Sequence, residues 1–138
     1  MDNIIDLGID IANAEPPELL PVRGYPAEIR KASPAVSGKT GAKYVSIQFY
    51  INPDDFPADY DQANNPDGLT LTFNRVSLEK NTRSLSNLRK FMETIGAPIK
   101  GGVIDFDDWT GLRATVNIGH EEYEGNNREV VKSVTKLV

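Results

Sequence analysis

The sequence predicts a mainly β fold: a five-stranded Greek-key barrel with one helix between strands 3 and 4, plus an extended N-terminal arm. Three observations point there. Apolar and polar residues alternate at a period of two through the first half of the chain. The period turns helical once, between Ser84 and Gly96, and Glu124-Gly125-Asn126-Asn127 gives a hairpin signal between two further strand-like runs.

With 138 residues, 39% apolar and 25% charged, the chain has room for one core and not two. A domain of this size buries roughly two-thirds of the surface its unfolded form exposes, so it needs neither metal nor disulfide to fold. The absence of cysteine excludes disulfide scaffolds, thiolate zinc sites and cysteine nucleophiles, and the single histidine, His120, excludes a histidine metal cluster. No run nears the roughly 18 to 20 apolar residues of a membrane span. Met1-Asp2-Asn3-Ile4-Ile5-Asp6 has acid where a signal peptide has base, so the expected location is the cytoplasm.

Residues 1–20 read as the arm. Ile5, Leu7, Ile9 and Ile11 fall on odd positions with Asp6, Gly8 and Asp10 between them, an extended pattern whose apolar side needs a cover from its own domain or from a partner. Glu15-Pro16-Pro17-Glu18 breaks it. Residues 21–138 form the barrel domain. Its first strand runs from 24 to about 33 with Tyr25, Ala27 and Ile29 on one face, and Ser37-Gly38-Lys39-Thr40-Gly41 is the turn that follows. The second strand, 44–51, has the cleanest alternation: Val45, Ile47, Phe49 and Ile51 point one way, Tyr44, Ser46, Gln48 and Tyr50 the other. The acidic loop 52–67 holds three prolines and is longer than ordinary connections. A third strand, 68 to about 78, turns Leu69, Leu71 and Phe73 inward.

Leu85, Leu88, Met92 and Ile95 then recur at helical spacing with Phe91 on the same face; Ser84 or Thr82 caps the start, and Gly96 and Pro98 end the helix. A short helical turn at 105–109 precedes the last strands, 112–121 and 128–137. Three strands, one helix and two strands is the element order of the oligonucleotide- and oligosaccharide-binding barrel, the OB-fold. An open α+β sandwich fits the same string.

The net charge of −5 argues against a polyanionic partner, but the charge is segregated. Residues 1–20 carry Asp2, Asp6, Asp10, Glu15 and Glu18, and the stretch 52–68 carries Asp54, Asp55, Asp59, Asp61 and Asp67; neither holds a base. Between them, Arg23, Arg30, Lys31, Lys39 and Lys43 stand against Glu28 alone. The pattern is that of a moderately basic groove bordered by acidic segments, or of ordinary solvated surface.

No constellation that catalysis requires is present. Gly38-Lys39-Thr40-Gly41 lacks P-loop spacing and joins two strands, and the loop aspartates do not fit a calcium loop. His120 sits beside Glu121 and Glu122 as a rim residue. Asp105, Asp107 and Asp108 suit the start of a short helix. The expectation is a non-enzyme with no catalytic residues, no metal and no cofactor. Binding is better supported: Tyr44, Gln48 and Tyr50 share the non-core face of the strand that, with the third, forms the ligand face of an OB barrel. Aromatics there stack bases at roughly 1 to 3 kcal/mol each, whichever base is present.

Several motifs are similar to those of a phage and prophage family of small proteins from replication and recombination gene clusters, of unknown function and likened to single-stranded DNA-binding proteins. Leu20-Pro21-Val22-Arg23-Gly24-Tyr25 with Ile29 matches its opening, followed by Lys39-Thr40-Gly41. The run Leu88-Arg89-Lys90-Phe91-Met92-Glu93-Thr94-Ile95-Gly96-Ala97-Pro98 resembles its helix, and Trp109-Thr110-Gly111-Leu112 and Tyr123-Glu124-Gly125-Asn126 resemble its last hairpin. The resemblance covers roughly residues 20 to 135. It implies an OB-like barrel acting on single-stranded DNA beside a phage recombinase or polymerase, in the host cytoplasm. The family's likeness to strand binders leads one to look for an acidic tail, whereas this chain ends Val134-Thr135-Lys136-Leu137-Val138 and carries its acid in the arm and the loop.

The expected function is therefore single-stranded DNA binding. Tyr25, Tyr44 and Tyr50 would stack bases beside Gln48, and Arg30, Lys39, Lys43 and Arg75 would contact phosphates. The rival is a protein-interaction or assembly module in which the arm builds a homo-oligomer.

Overall fold

A computed structural model describes residues 3–14 and 18–137. The elements are β1 (Gly24–Val36), β2 (Lys43–Ile51), β3 (Leu69–Ser77), α1 (Thr82–Ile95), β4 (Arg113–Tyr123) and β5 (Asn126–Thr135), with short 3₁₀ turns in the loops. Alternation at a period of two built every strand and buried one side of each: Tyr25, Ala27 and Ile29 on β1, Val45, Ile47, Phe49 and Ile51 on β2, Ala114, Val116 and Ile118 on β4. The strands form one antiparallel sheet in the order β3-β2-β1-β4-β5.

The sheet does not close. Among the described residues no ladder joins β3 to β5, and a cleft of about 470 Å³ separates them, lined by Thr70, Thr72 and Asn74 on one side and Arg128 and Glu129 on the other. Alternation fixes which side of a strand is buried, but it carries no information about whether two edges meet, so closure was beyond its reach.

α1 lies across the core with Leu88, Met92 and Ile95 buried. Its Phe91 stacks on Phe73 of β3 with ring centroids 6.0 Å apart and approaches Trp109 at 5.8 Å, and Phe106 meets Trp109 edge-on at 5.0 Å. This aromatic chain fastens the helix to the sheet. The cap is neither Ser84 nor Thr82 but Asn81, whose side-chain oxygen accepts from the Ser84 amide at 2.9 Å; the Asn carboxamide reaches the third helical amide from outside the helix. Gly96 ends the helix at φ +77°, as expected of a left-handed C-terminal cap. Between β4 and β5, Glu124 and Gly125 both take positive φ, as a two-residue type I′ turn requires.

The loop after β2 is anchored to the core. Phe56 and Tyr60 are buried and pack edge to face at 5.2 Å. The segment leading to β1 is anchored too. Leu20 is fully buried, its amide donates to the Glu129 carboxylate, and its carbonyl accepts from His120 Nε2 at 2.7 Å. The arm, by contrast, is not a strand: residues 3–14 contain a bend at Gly8 and a 3₁₀ turn, Ile11–Asn13, capped by Asp10. The expected break at Glu15-Pro16-Pro17 lies outside the described residues. No helix among the described residues is long and apolar enough to cross a membrane.

Candidate nucleic-acid interface

The outer face of β2 is set by its register. Tyr50 stands opposite Glu28 of β1 and Thr70 of β3, Gln48 opposite Lys31 and Thr72, Ser46 opposite Ser33, and Tyr44 opposite Ala35 and Ser77. Tyr44 and Tyr50 are both half-buried and Gln48 is exposed. The tyrosines are six positions apart, so they occupy the two ends of the strand, about 20 Å from each other.

A bulge in β1 decides the charge of this face. The pairing shifts between Ile29 and Lys31, which leaves Arg30 as the extra residue and exposes Arg30 and Lys31 side by side. The Arg30 guanidinium lies over the Tyr50 ring at 4.1 Å, and its Nε is 3.7 Å from Glu28. The Tyr50 hydroxyl donates to the Asp67 carbonyl at 2.8 Å, tying the ring to the end of the acidic loop. Beside this group a cleft of about 410 Å³ opens between Arg30 and Arg113 on one side and Asp54 and Asp55 on the other.

The expected residues fall into separate places. Arg30, Gln48, Tyr50 and Tyr44 share the β2 face, and Lys39 is exposed on the β1–β2 turn. Tyr25 does not belong: it is 1% exposed, with its hydroxyl donating to the Pro21 carbonyl at 2.7 Å, so no base can stack on it. Its position in the inward phase of β1 had already placed it with Ala27 and Ile29. Burial pushes its hydroxyl up to about 12, against the pull of Arg23. Lys43 is exposed but has the phase of Val45 and Ile47, so it lies on the side of β2 away from the tyrosines. Arg75 sits in the irregular part of β3 opposite Ser46, and its charge is felt across the gap by Glu121 of β4.

Two cations join the expected ones. Lys31, which the sequence places with Arg30 on the first strand near the tyrosines, faces Gln48, an orientation the alternation alone gives wrongly because it omits the bulge. Arg113 is opposite Glu28 across the β1–β4 ladder, a pairing that no local pattern announces. Several acids have local work instead: Asp61 caps one of the loop's 3₁₀ turns as the neutral Asn52 caps the other, Asp105 caps Phe106–Trp109, and Asp108 pairs with Lys100 at 3.1 Å. On the far hairpin, Lys132 pairs with Glu121 at 2.6 Å and holds that carboxyl below its ordinary range, with Arg75 and Arg128 adding in the same direction.

Among the described residues, no three acidic or histidine side chains gather as a metal site would need. The chain matches no family model and no curated protein.

Proposed function

We propose that the protein binds single-stranded DNA, without catalysis, across the outer face of β2. The observation that carries this reading is the charge and shape of one hairpin: from Arg30 to Ile51 it bears Arg30, Lys31, Lys39 and Lys43, no acid, and two half-buried tyrosines on one face. Bases stack on the Tyr44 ring and, at the other end of the strand, on the Arg30 guanidinium that covers Tyr50, without regard to sequence, while the remaining cations hold the phosphates. The strand order, with the helix between β3 and β4, supports an OB-like barrel, whose partly open form binds single strands over its second and third strands. The resemblance to the phage family supports a place in replication or recombination, beside a recombinase or polymerase in the host cytoplasm.

The overall charge of −5 opposes this only at long range. At about 0.1 M salt, charges more than roughly 10 Å apart are largely screened, so the basic hairpin governs what a strand meets at contact. Arg30 has to exchange Glu28 for a phosphate, and an exposed ion pair of this kind is worth only about 0 to 1 kcal/mol.

Titration of labelled oligo-dT at two salt concentrations tests the proposal. Three or four phosphate contacts give a log–log salt slope of about −2 to −3. Absence of binding at low salt refutes it.

A further inference from the structure

A second surface has no part in this binding face. α1 turns Leu85, Leu88 and Met92 toward residues 99–104, where Ile99, Val103 and Ile104 form the opposite wall of a groove of about 260 Å³. Val103 is 70% exposed, and Leu85 and Ile99 about half. A bridge between Lys100 and Val103 holds the facing wall as a small hairpin. The rim is basic, with Arg89 on the helix and Lys100 on the hairpin. Their partners within the chain, Glu93 at 3.6 Å and Asp108 at 3.1 Å, form surface pairs that exchange at little cost.

The arm is the complement of this groove. Ile4, Ile5, Leu7, Ile9 and Ile11 are 61 to 86% exposed, and no described arm residue lines the groove of its own chain. Asp6 and Asp10 supply negative charge, and residues 3–14 hold no base. The bends in the arm are held by hydrogen bonds at exposed sites, donated by the Gly8 amide to the Asp6 carboxylate and by the Ala12 amide and the Asn13 side chain to the Asp10 carboxylate. Straightening is therefore cheap, and it places Ile5, Leu7, Ile9 and Ile11 on one side with Asp6 and Asp10 on the other. The groove runs about 10 Å along α1 from Leu85 to Met92, enough for two successive inward residues of an extended segment.

We infer that the arm of one copy lies in the α1 groove of a second copy, with Leu7 and Ile9 in the cleft and the long side chains of Arg89 and Lys100 reaching over the arm's edges to its outward aspartates. One chain carries both halves of the contact, and two copies exchange arms reciprocally, which closes the assembly as a dimer; a mass that climbs past twice the monomer value overturns that closure.

Light scattering on the full chain over a wide range of concentration tests this. The mass is expected to rise from 15.2 kDa toward twice that value. Leu7→Asp with Ile9→Asp, and separately Val103→Asp, each hold it at the monomer value and keep a single cooperative thermal melt, because these side chains are exposed within one copy; the melt matches that of the native chain at concentrations where it is monomeric. The chain has no cysteine, so Ile9→Cys and Val103→Cys report the pairing directly: in an oxidised mixture, unlike copies are expected to cross-link faster than like copies. A monomer at every concentration overturns the inference, as does a dimer that survives Val103→Asp. Ring closure within single chains of the double-cysteine variant also overturns it, since the arm would then fill its own groove.

Discussion

Arg30 and Tyr50 form one unit: the guanidinium carbon stands 4.1 Å from the ring centroid, while the ring's hydroxyl donates to the Asp67 carbonyl at 2.8 Å. The ring is thus held between the basic hairpin and the end of the acidic loop. A base that reaches this end of β2 meets a cation already lying on an aromatic face, with its charge directed outward.

Arg30→Ala separates the two parts. Tyr50 keeps its hydrogen bond to Asp67, so the fold loses the cation–π contact, about 0.5 to 1 kcal/mol at an exposed site, and the surface pair with Glu28, worth about 0 to 1 kcal/mol. One phosphate contact goes with it, and the log–log salt slope for oligo-dT becomes shallower by about 0.7. Urea melts and two-salt titrations measure the two effects independently. An unchanged slope would remove Arg30 from the interface.

Lys31 and Lys43 offer a sharper comparison, because both are exposed cations on the same hairpin and only one faces the tyrosines. Lys31→Ala is expected to weaken oligo-dT binding several-fold at low salt, while Lys43→Ala leaves it nearly unchanged. Equal losses would mean that the strand follows the general charge of the hairpin and not the face of β2.

These two lysines also show what the sequence could and could not disclose. Period-two alternation correctly separated Val45, Ile47, Phe49 and Ile51 from Tyr44, Gln48 and Tyr50, because burial on one side is a local property of a strand. The same rule puts Tyr25 and Lys43 on the inward phase of their strands, away from the binding face, whatever their aromatic or charged character suggests. The outward facing of Lys31 was hidden by the β1 bulge, since one extra residue inverts the phase of everything after it. Arg113 and the open β3–β5 edge depend on pairings between strands far apart in the chain, which periodicity does not encode. The arm's alternation was legible, whereas the bend at Gly8 was not, because nothing in its own domain holds it straight.

Gly68 controls the Tyr50 ring from below. It sits at φ +91°, and a Cβ built there would collide with the ring and its hydroxyl oxygen, whereas Gly41, at φ +73°, has open space around it. Gly41→Ala therefore costs only the left-handed backbone, about 1 to 2 kcal/mol. Gly68→Ala bears the same strain and also displaces Tyr50 from Asp67, so it is expected to be the more destabilising and to reduce oligo-dT affinity. Thermal melts of the two variants, with a titration of each, separate strain from collision. Matching behaviour in both assays would show that the ring has no fixed seat.

Tyr25 gives the fold an alkaline limit. Its hydroxyl is buried, donates to the Pro21 carbonyl, and ionises near 12 and not at 10.0. A folded-state value above the unfolded one favours the neutral form, so its contribution is complete below pH 10 and is lost as pH rises through about 12. Over that window each pH unit costs up to about 1.4 kcal/mol. Tyr25→Phe has no proton to lose and leaves the Pro21 carbonyl without this donor. It is expected to be about 1 kcal/mol less stable at neutral pH and to decline less steeply above pH 10. Urea melts of both proteins between pH 8 and pH 12 should therefore converge as the pH rises. Parallel curves would mean that the Tyr25 hydroxyl ionises in the folded protein as readily as in the unfolded chain.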